Sequence, residues 1–270
     1  GYIHCLQLEG DRLVTGSHDC TIRHWNLSQL TDVEEKPRPR RRNRRTSADK
    51  QAADVEQTAS NTLTGHVGAI TCLHFNDNWL VSGSADRTMR QWDLNTETCV
   101  LHMDAWWAAH GARPPPSSEY ALTGSGFVGA LQSWQFALCS GTADGVIRMW
   151  DLRTGQPHRA LTGHTGAINC LQFDQHNVVS GGQDGTVRIW DLRTGETFDT
   201  VHFDRPVTAL QFDDVKILCA AGDNEVKIYN RASFQLGAFQ AHREPVRCVR
   251  FAGRRVVTGG SDDVVKVWRM

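Results

Sequence analysis

A histidine, a hydroxyl and an aspartate are the parts of a nucleophilic hydrolase: the imidazole takes the hydroxyl proton and the carboxylate orients the ring. The sequence holds such a set at His66, Ser82 and Asp86, at His164, Ser180 and Asp184, and at His242, Thr258 and Asp262. In each, the histidine stands 20 residues and the hydroxyl four residues before the aspartate; a tryptophan (Trp92, Trp190, Trp268) follows it by six. A catalytic triad occurs once per active site, on an irregular loop beside an oxyanion hole. Three copies at one spacing inside strand-like runs mark a repeated structural element instead. There is no phosphate-cradling glycine loop, H-E-x-x-H or G-x-S-x-G. No catalytic residue, metal ligand or cofactor is therefore expected.

The sets belong to a longer repeat, an apolar strand, a turn, then [ST]-G-x-x-D followed by x-x-[IV]-[RK]-x-W. Six copies occupy 14–25, 81–92, 139–150, 179–190, a weaker 218–229, and 257–268. The interval from aspartate to aromatic is six throughout: Asp19/Trp25, Asp86/Trp92, Asp144/Trp150, Asp184/Trp190, Asp223/Tyr229 and Asp262/Trp268. Successive aromatics lie 67, 58, 40, 39 and 39 apart, so the period is near 40 and the first two intervals carry insertions. A unit of that length with four short strands is one blade of a β-propeller.

The residues resemble the WD-repeat family: WDL follows the pattern at 92–94, 150–152 and 190–192, and GH precedes it at 65–66 and 163–164. The resemblance implies an all-β propeller, with six blades visible and a seventh expected upstream of residue 1. Residue 1 is Gly with no Met before it, and the chain closes after the third strand of its last unit. The resemblance further implies a hydrogen-bonded tetrad in each complete set, Trp N–H to hydroxyl, hydroxyl to His, and His to Asp, tying three strands together. The domain expected is 1–270, with units 1–27, 61–102, 127–163, 164–203, 204–241 and 242–270 and insertions 28–60 and 103–126. The unit at 204–241 lacks the His and carries Cys219 in place of the hydroxyl, so it is expected to be the least rigid.

The insertions have loop composition. KPRPRRRNRR (36–45) holds seven basic residues in ten. It reads as a solvated loop, or else as an acidic-surface contact, a nuclear signal, or a kinase site at Thr46 or Ser47. Trp106 and Trp107 beside the prolines at 114–116 form either a partner anchor or the packing under their own loop. Cys5, Cys72, Cys170 and Cys248 all stand 14 before an aspartate. Equivalent strands lie too far apart for a disulfide, and no C-x-x-C offers a zinc site. They read as buried thiols in a reducing compartment. The 270 residues hold 29 Lys+Arg and 30 Asp+Glu, which removes the broad cationic field of a nucleic-acid binder. No run of 18 apolar residues spans a bilayer.

Longer stretches are more specific. LTGHVGAITCLHFNDNWLVSGSADRTMRQWDL (63–94), FVGALQ (127–132), GTADGVIRMWDLRTGQPHRALTGHTGAINCLQFD (141–174) and PVTALQFDDVKILCAAGDNEVKIY (206–229) closely resemble the WD-repeat adaptors of mitochondrial division of fungi and red algae. The resemblance implies a non-enzymatic propeller that engages a dynamin-related GTPase and promotes its assembly. It further implies an upstream region that binds a tail-anchored outer-membrane receptor and dimerises through a coiled coil. The protein would be cytoplasmic, peripheral on the cytosolic face of the mitochondrial outer membrane. The competing reading is a substrate receptor of a cullin-type ubiquitin ligase, from the W-D-x-R boxes at Trp150–Arg153 and Trp190–Arg193 or an upstream F-box. For a platform, the partner rim should carry the residues just before each aspartate, among them His18, Gln183 and Ser261. Arg243 and Glu244, on a loop entering an inner strand, and Asn169 and Arg247, 15 before an aspartate, would join them. Arg23, Arg90, Arg148 and Arg188 should pack between blades along their stems.

Overall fold

A computed structural model describes residues 1–29, 61–105, 108 and 126–269. The stretch 36–45, Thr46, Ser47, Trp106, Trp107 and the prolines at 114–116 fall outside those residues. Six antiparallel sheets follow one another in chain order as the blades of a propeller. From inner to outer strand, blade 1 is Ile3–Glu9, Arg12–Ser17, Ile22–Asn26 and Asn61–Leu63, and blade 2 is Ile70–Asn76, Trp79–Ser84, Thr88–Asp93 and Thr98–Asp104. Blade 3 is Val128–Trp134, Ala137–Thr142, Ile147–Asp151 and Gln156–Leu161; blade 4 is Ile168–Phe173, Asn177–Gly182, Thr186–Asp191 and Thr197–His202. Blade 5 is Ala209–Phe212, Lys216–Ala220, Glu225–Asn230 and Gln235–Gln240; blade 6 has three strands, Val246–Ala252, Arg255–Gly260 and Val265–Arg269.

Asn61–Leu63 pairs with Ile22–Asn26. The first insertion therefore interrupts blade 1 before its outer strand, and residues 61–63 belong to that blade rather than to the next. The outer strand of blade 2 likewise runs to Asp104, into the stretch read as the second insertion.

Because both faces of a blade meet neighbours, its strands are apolar on both sides. The core is a set of five seams. Val14, Ile22, Ile70, Leu80 and Trp92 fill the first, between blades 1 and 2, and Leu218, Val226, Val246 and Val256 the last, between blades 5 and 6. Gly65 stands where a side chain cannot: its φ is +154°, and a Cβ would lie 2.8 Å from Arg90 Nη1 and 3.3 Å from the Trp92 ring. Arg90 and Arg188 are thus half-buried beside the tryptophans, whereas Arg23 is exposed and Arg148 is fully buried.

A second device holds neighbouring blades together. Gln7 donates through Nε2 to Phe75 O and accepts from Phe75 N–H, both at 2.8 Å. Gln172 makes the same two bonds to Phe212 (3.2 and 2.7 Å), and Gln211 to Phe251 (3.0 and 2.7 Å). Gln132 accepts from Phe173 N–H at 2.6 Å. Between blades 2 and 3 a histidine replaces the amide: His74 Nδ1 lies 2.9 Å from Ser133 Oγ and accepts from Ser133 N–H at 3.3 Å. Arg250 holds the equivalent place in blade 6 and makes no such bond among the described residues.

There the apolar faces are uncovered. Val257 is 40% exposed, while its counterparts Val81 and Val179 are at 1% and 0%. Leu6, Val265 and Val267 are exposed too. Cys248, expected to be buried, is exposed for the same reason, as its strand lies in this last blade. All eight cysteines are free thiols. Burial pushes Cys5 and Cys219 up to about 12 and raises Cys72, Cys139 and Cys170 as well, so they act as small apolar side chains.

Candidate docking surface

The three His/hydroxyl/Asp/Trp sets form closed chains of hydrogen bonds. Trp92, Trp190 and Trp268 donate through Nε1 to Ser82, Ser180 and Thr258 at 2.9, 2.8 and 3.0 Å. Each hydroxyl lies 2.8 Å from Nε2 of His66, His164 or His242. Each Nδ1 approaches Asp86, Asp184 or Asp262 at 2.9, 2.9 and 2.8 Å. The aspartate accepts from Nδ1–H, so Nε2 accepts the hydroxyl proton and the hydroxyl oxygen accepts from the indole. Every donor has an acceptor with a neutral ring. Two partners are not evident from the spacing of the four. Thr88 and Thr186 donate Oγ–H to Asp86 and Asp184 at 2.6 and 2.8 Å. The N–H groups of Val67, Thr165 and Arg243, each just after the histidine, complete the carboxylate's shell.

Burial alone would raise these carboxyls, but the donors outweigh it: Asp184 falls to about 2, and Asp86 and Asp262 are held low as well. Burial lowers His164 more than the Asp184 carboxylate raises it, which keeps the ring neutral. Ser82, Ser180 and Thr258 are 0% exposed, so no substrate reaches the hydroxyls.

Blades without the histidine hold their aspartate otherwise. In blade 3, Trp150 donates to Ser140 at 2.8 Å, and Arg148 pairs with Asp144 at 2.7 Å and donates to Thr142. In blade 5, Lys227 bridges Asp223 at 3.0 Å and Glu225 at 2.5 Å, and the Tyr229 hydroxyl turns to Asp199 of blade 4. Blade 1 keeps only the Trp25 to Thr15 bond at 3.1 Å and a Thr21-bound Asp19.

The candidate rim residues meet in pairs. Each inner strand of blades 1, 2, 4 and 6 bulges at the residue 15 before the aspartate, where the register slips between Ile3/Cys5, Ile70/Cys72, Ile168/Cys170 and Val246/Cys248. A bulge re-aims its side chain, in blades 1, 4 and 6 toward the turn before the aspartate, whereas Thr71 of blade 2 donates to Gly83 O and Val128 O. His4 Nε2 lies 3.2 Å from His18 Nδ1. Asn169 Nδ2 donates to Gln183 at 3.2 Å, and Arg247 Nε to Ser261 Oγ at 2.7 Å. His18, Gln183, Ser261, Arg243, Glu244 and Arg247 are exposed, and Asn169 is half-buried. The result is a polar, hydrogen-bonded rim around one mouth of the axis. Among the described residues no group of three or more His, Cys, Asp or Glu is placed to hold a metal, and no helix is long and apolar enough to cross a membrane. The W-D-x-R arginines sit elsewhere, in the turns before the outer strands: Arg153 folds onto its own Asp151 at 2.7 Å, and Arg193 reaches Asp191 at 3.8 Å.

Known proteins agree with this architecture. "Mitochondrial division protein 1" of Neurospora crassa is 48% identical over 224 residues, 77% of this chain and 34% of that protein. Its namesake in Aspergillus oryzae is 43% identical over 182 residues, 62% of this chain and 28% of that protein. The chain thus spans about a third or less of these relatives' length. Among solved structures, the computationally designed Ika8 protein superposes with a TM-score of 0.66 at 27% identity, over all of this chain and 84% of that one. A chain of the mitotic checkpoint complex superposes at 0.76 with 21% identity, over all of this chain and 74% of its own, a likeness of fold alone. The family model described as "WD domain, G-beta repeat" matches 1–26, 57–93, 155–191 and 233–269, the segments that carry the repeated aspartates and aromatics of blades 1, 2, 4 and 6. With those repeats folded as blades, three of them closed by a tetrad, the chain belongs to the WD-repeat, G-beta family.

Proposed function

We propose that the chain is the non-enzymatic adaptor propeller of a mitochondrial division protein, and that its rim engages a dynamin-related GTPase and promotes its assembly at the outer membrane. The observation that carries the reading is the identity to relatives named for mitochondrial division, which runs through blade sequences well beyond the repeat signature. The geometry supports a platform. The hydroxyl and imidazole groups that would serve catalysis are sealed and hydrogen-bonded to each other, whereas the polar side chains free to meet a partner ring one mouth of the axis. A tail-anchored mitochondrial receptor and self-association through a coiled coil belong, in this reading, to sequence outside the propeller, and the protein is peripheral to the membrane. The uncovered faces of blades 1 and 6 are then covered by a further blade.

The test is co-purification. Tagged propeller should retain a dynamin-related GTPase of a fungal host, and a variant carrying alanine at His18, Gln183, Ser261, Arg243 and Arg247 should not. Retention of a cullin adaptor with no GTPase in any nucleotide state would transfer the case to the ubiquitin-ligase reading.

A further inference from the structure

Phe234 is an aromatic in the wrong backbone. It ends the turn between the third and outer strands of blade 5 at φ +57°, and its N–H donates to Asn230 O at 2.9 Å. The same turn ends on Gly155 (φ +69°) and Gly195 (φ +80°) in blades 3 and 4, which have no Cβ to strain, and on a polar residue, Glu97 (φ +59°), in blade 2; only blade 5 puts an aromatic there. Packing does not explain the choice, because the Phe234 side chain is 58% exposed. It stands beside Phe198 of blade 4, 65% exposed, with ring centroids 6.4 Å apart, and Leu236 is 50% exposed next to them. Together they wall a groove of roughly 500 Å³ between the outer strands of blades 4 and 5. Strain retained at an exposed apolar group points to use.

Two further features say what fits. The outer strand of blade 5, Gln235–Gln240, reads QLGAFQ and pairs on one side only. It has neither the charges nor the proline that normally guard an edge, whereas the outer strand of blade 3 has Pro157 and Arg159. A Cβ at Gly237 would meet only Ile228 O, at an ordinary contact distance of 3.9 Å. The groove is acidic. Asp199 lines it and accepts from the Tyr229 hydroxyl; Asp191 and Asp214 line the pocket that adjoins it at Phe198, Tyr229 and Phe234, where the one arginine, Arg231, donates to Asp213 O at 2.9 Å and lies 5.2 Å from the Phe212 ring centroid. Arg193, at 3.8 Å from Asp191, neutralises it only weakly.

We infer that the outer edge of blade 5 takes an extended segment of a partner protein as a fifth strand, with apolar side chains at alternate positions entering the Phe198–Phe234–Leu236 groove and Lys or Arg facing the carboxylates. Main-chain pairing supplies affinity and the alternate pockets supply specificity. This surface lies on the flank of the propeller, away from the rim, and stands whether or not the rim binds a GTPase.

The probes are three labelled ten-residue peptides: alternating Leu and Lys, the same with Glu for Lys, and the Leu/Lys peptide with a central proline. Titrated into the intact chain, the first should bind saturably and slow amide exchange at Gln235–Gln240, and the other two should bind at least tenfold more weakly. Phe234→Gly should cut affinity about tenfold while leaving Tm unchanged or roughly 2 °C higher, and Gly237→Lys should weaken binding without unfolding the blade. Equal binding of the Glu or proline peptide, protection elsewhere on the chain, or unchanged affinity in Phe234→Gly would overturn the inference. So would a fall of several degrees in Tm for that variant, which would make Phe234 a packing residue.

Discussion

Replacing Ser180 by alanine removes one oxygen that two buried groups share. The Trp190 indole N–H donates to it at 2.8 Å, and it donates to His164 Nε2 at 2.8 Å. Both neighbours are buried, with Trp190 at 1% and His164 at 7% exposure. Each orphaned group costs about 1–3 kcal/mol, so the variant should lose about 2–6 kcal/mol, or roughly 4–24 °C in Tm for a chain of this size. Cys219 occupies the same place in blade 5, where the Tyr229 hydroxyl turns away to Asp199. Cys219→Ala removes no hydrogen bond and should cost about 1 kcal/mol or less. Urea unfolding of both variants measures the difference. A loss under 1 kcal/mol for Ser180→Ala, or equal losses for the two, would refute the claim that the tetrads pin their blades.

Acid should act on the contact between blades 2 and 3. Burial, aided by the charge of Arg250, depresses His74 from its ordinary 6.5 to about 4, and Ser133 N–H occupies the nitrogen that would take the proton. A depressed histidine contributes stability above its unfolded pKa and loses it as pH falls, here from 6.5 toward 4. The loss should be on the order of 1–3 kcal/mol for this half-buried ring, and thermal melts of His74→Gln should show a flatter profile across that window. Asp184 adds its own loss only from about 3.8 down to about 2. Gln172→Leu strands both Phe212 backbone groups and should cost about 1–3 kcal/mol in urea unfolding. Amide exchange should be fastest in blade 5, which lacks both the histidine and the hydroxyl; uniform protection across the six blades would contradict that. A longer chain carrying a further blade should melt higher and bury Val257, Val265 and Val267, read by exchange at those positions.

The blades were legible because their polar marks recur at fixed offsets, and a repeat that places Asp six residues before an aromatic six times constrains three strands at once. The offsets mark which four residues recur, while the bonds among them are legible only through the resemblance to WD repeats. The glutamine clasp was not legible by the same logic. A single glutamine such as Gln172 on an inner strand looks like any polar residue facing the axis, and its partner is a backbone group about 40 residues away; the only trace is Gln recurring 12 before the aspartate at Gln7, Gln132, Gln172 and Gln211. Nothing in the sequence marks Arg148 and Lys227 as substitutes for the histidine, because they approach Asp144 and Asp223 from the third strand rather than from the preceding loop. The spacing alone sets the first insertion between units, since no sequence mark tells an outer strand of one blade from the lead-in to the next. Pairing of Asn61–Leu63 with Ile22–Asn26 settles that locally.

The central claim is that this propeller works by presenting its rim to a partner. Its most direct measurement is the affinity of purified propeller for a dynamin-related GTPase, compared with single alanine variants at His18, Gln183, Arg243, Arg247 and Ser261 whose Tm is unchanged. The account predicts saturable binding that weakens by tenfold or more for at least two of the five and is untouched by Ser233→Ala on the flank. Absent binding, or equal affinity for all five and the parent, would contradict it.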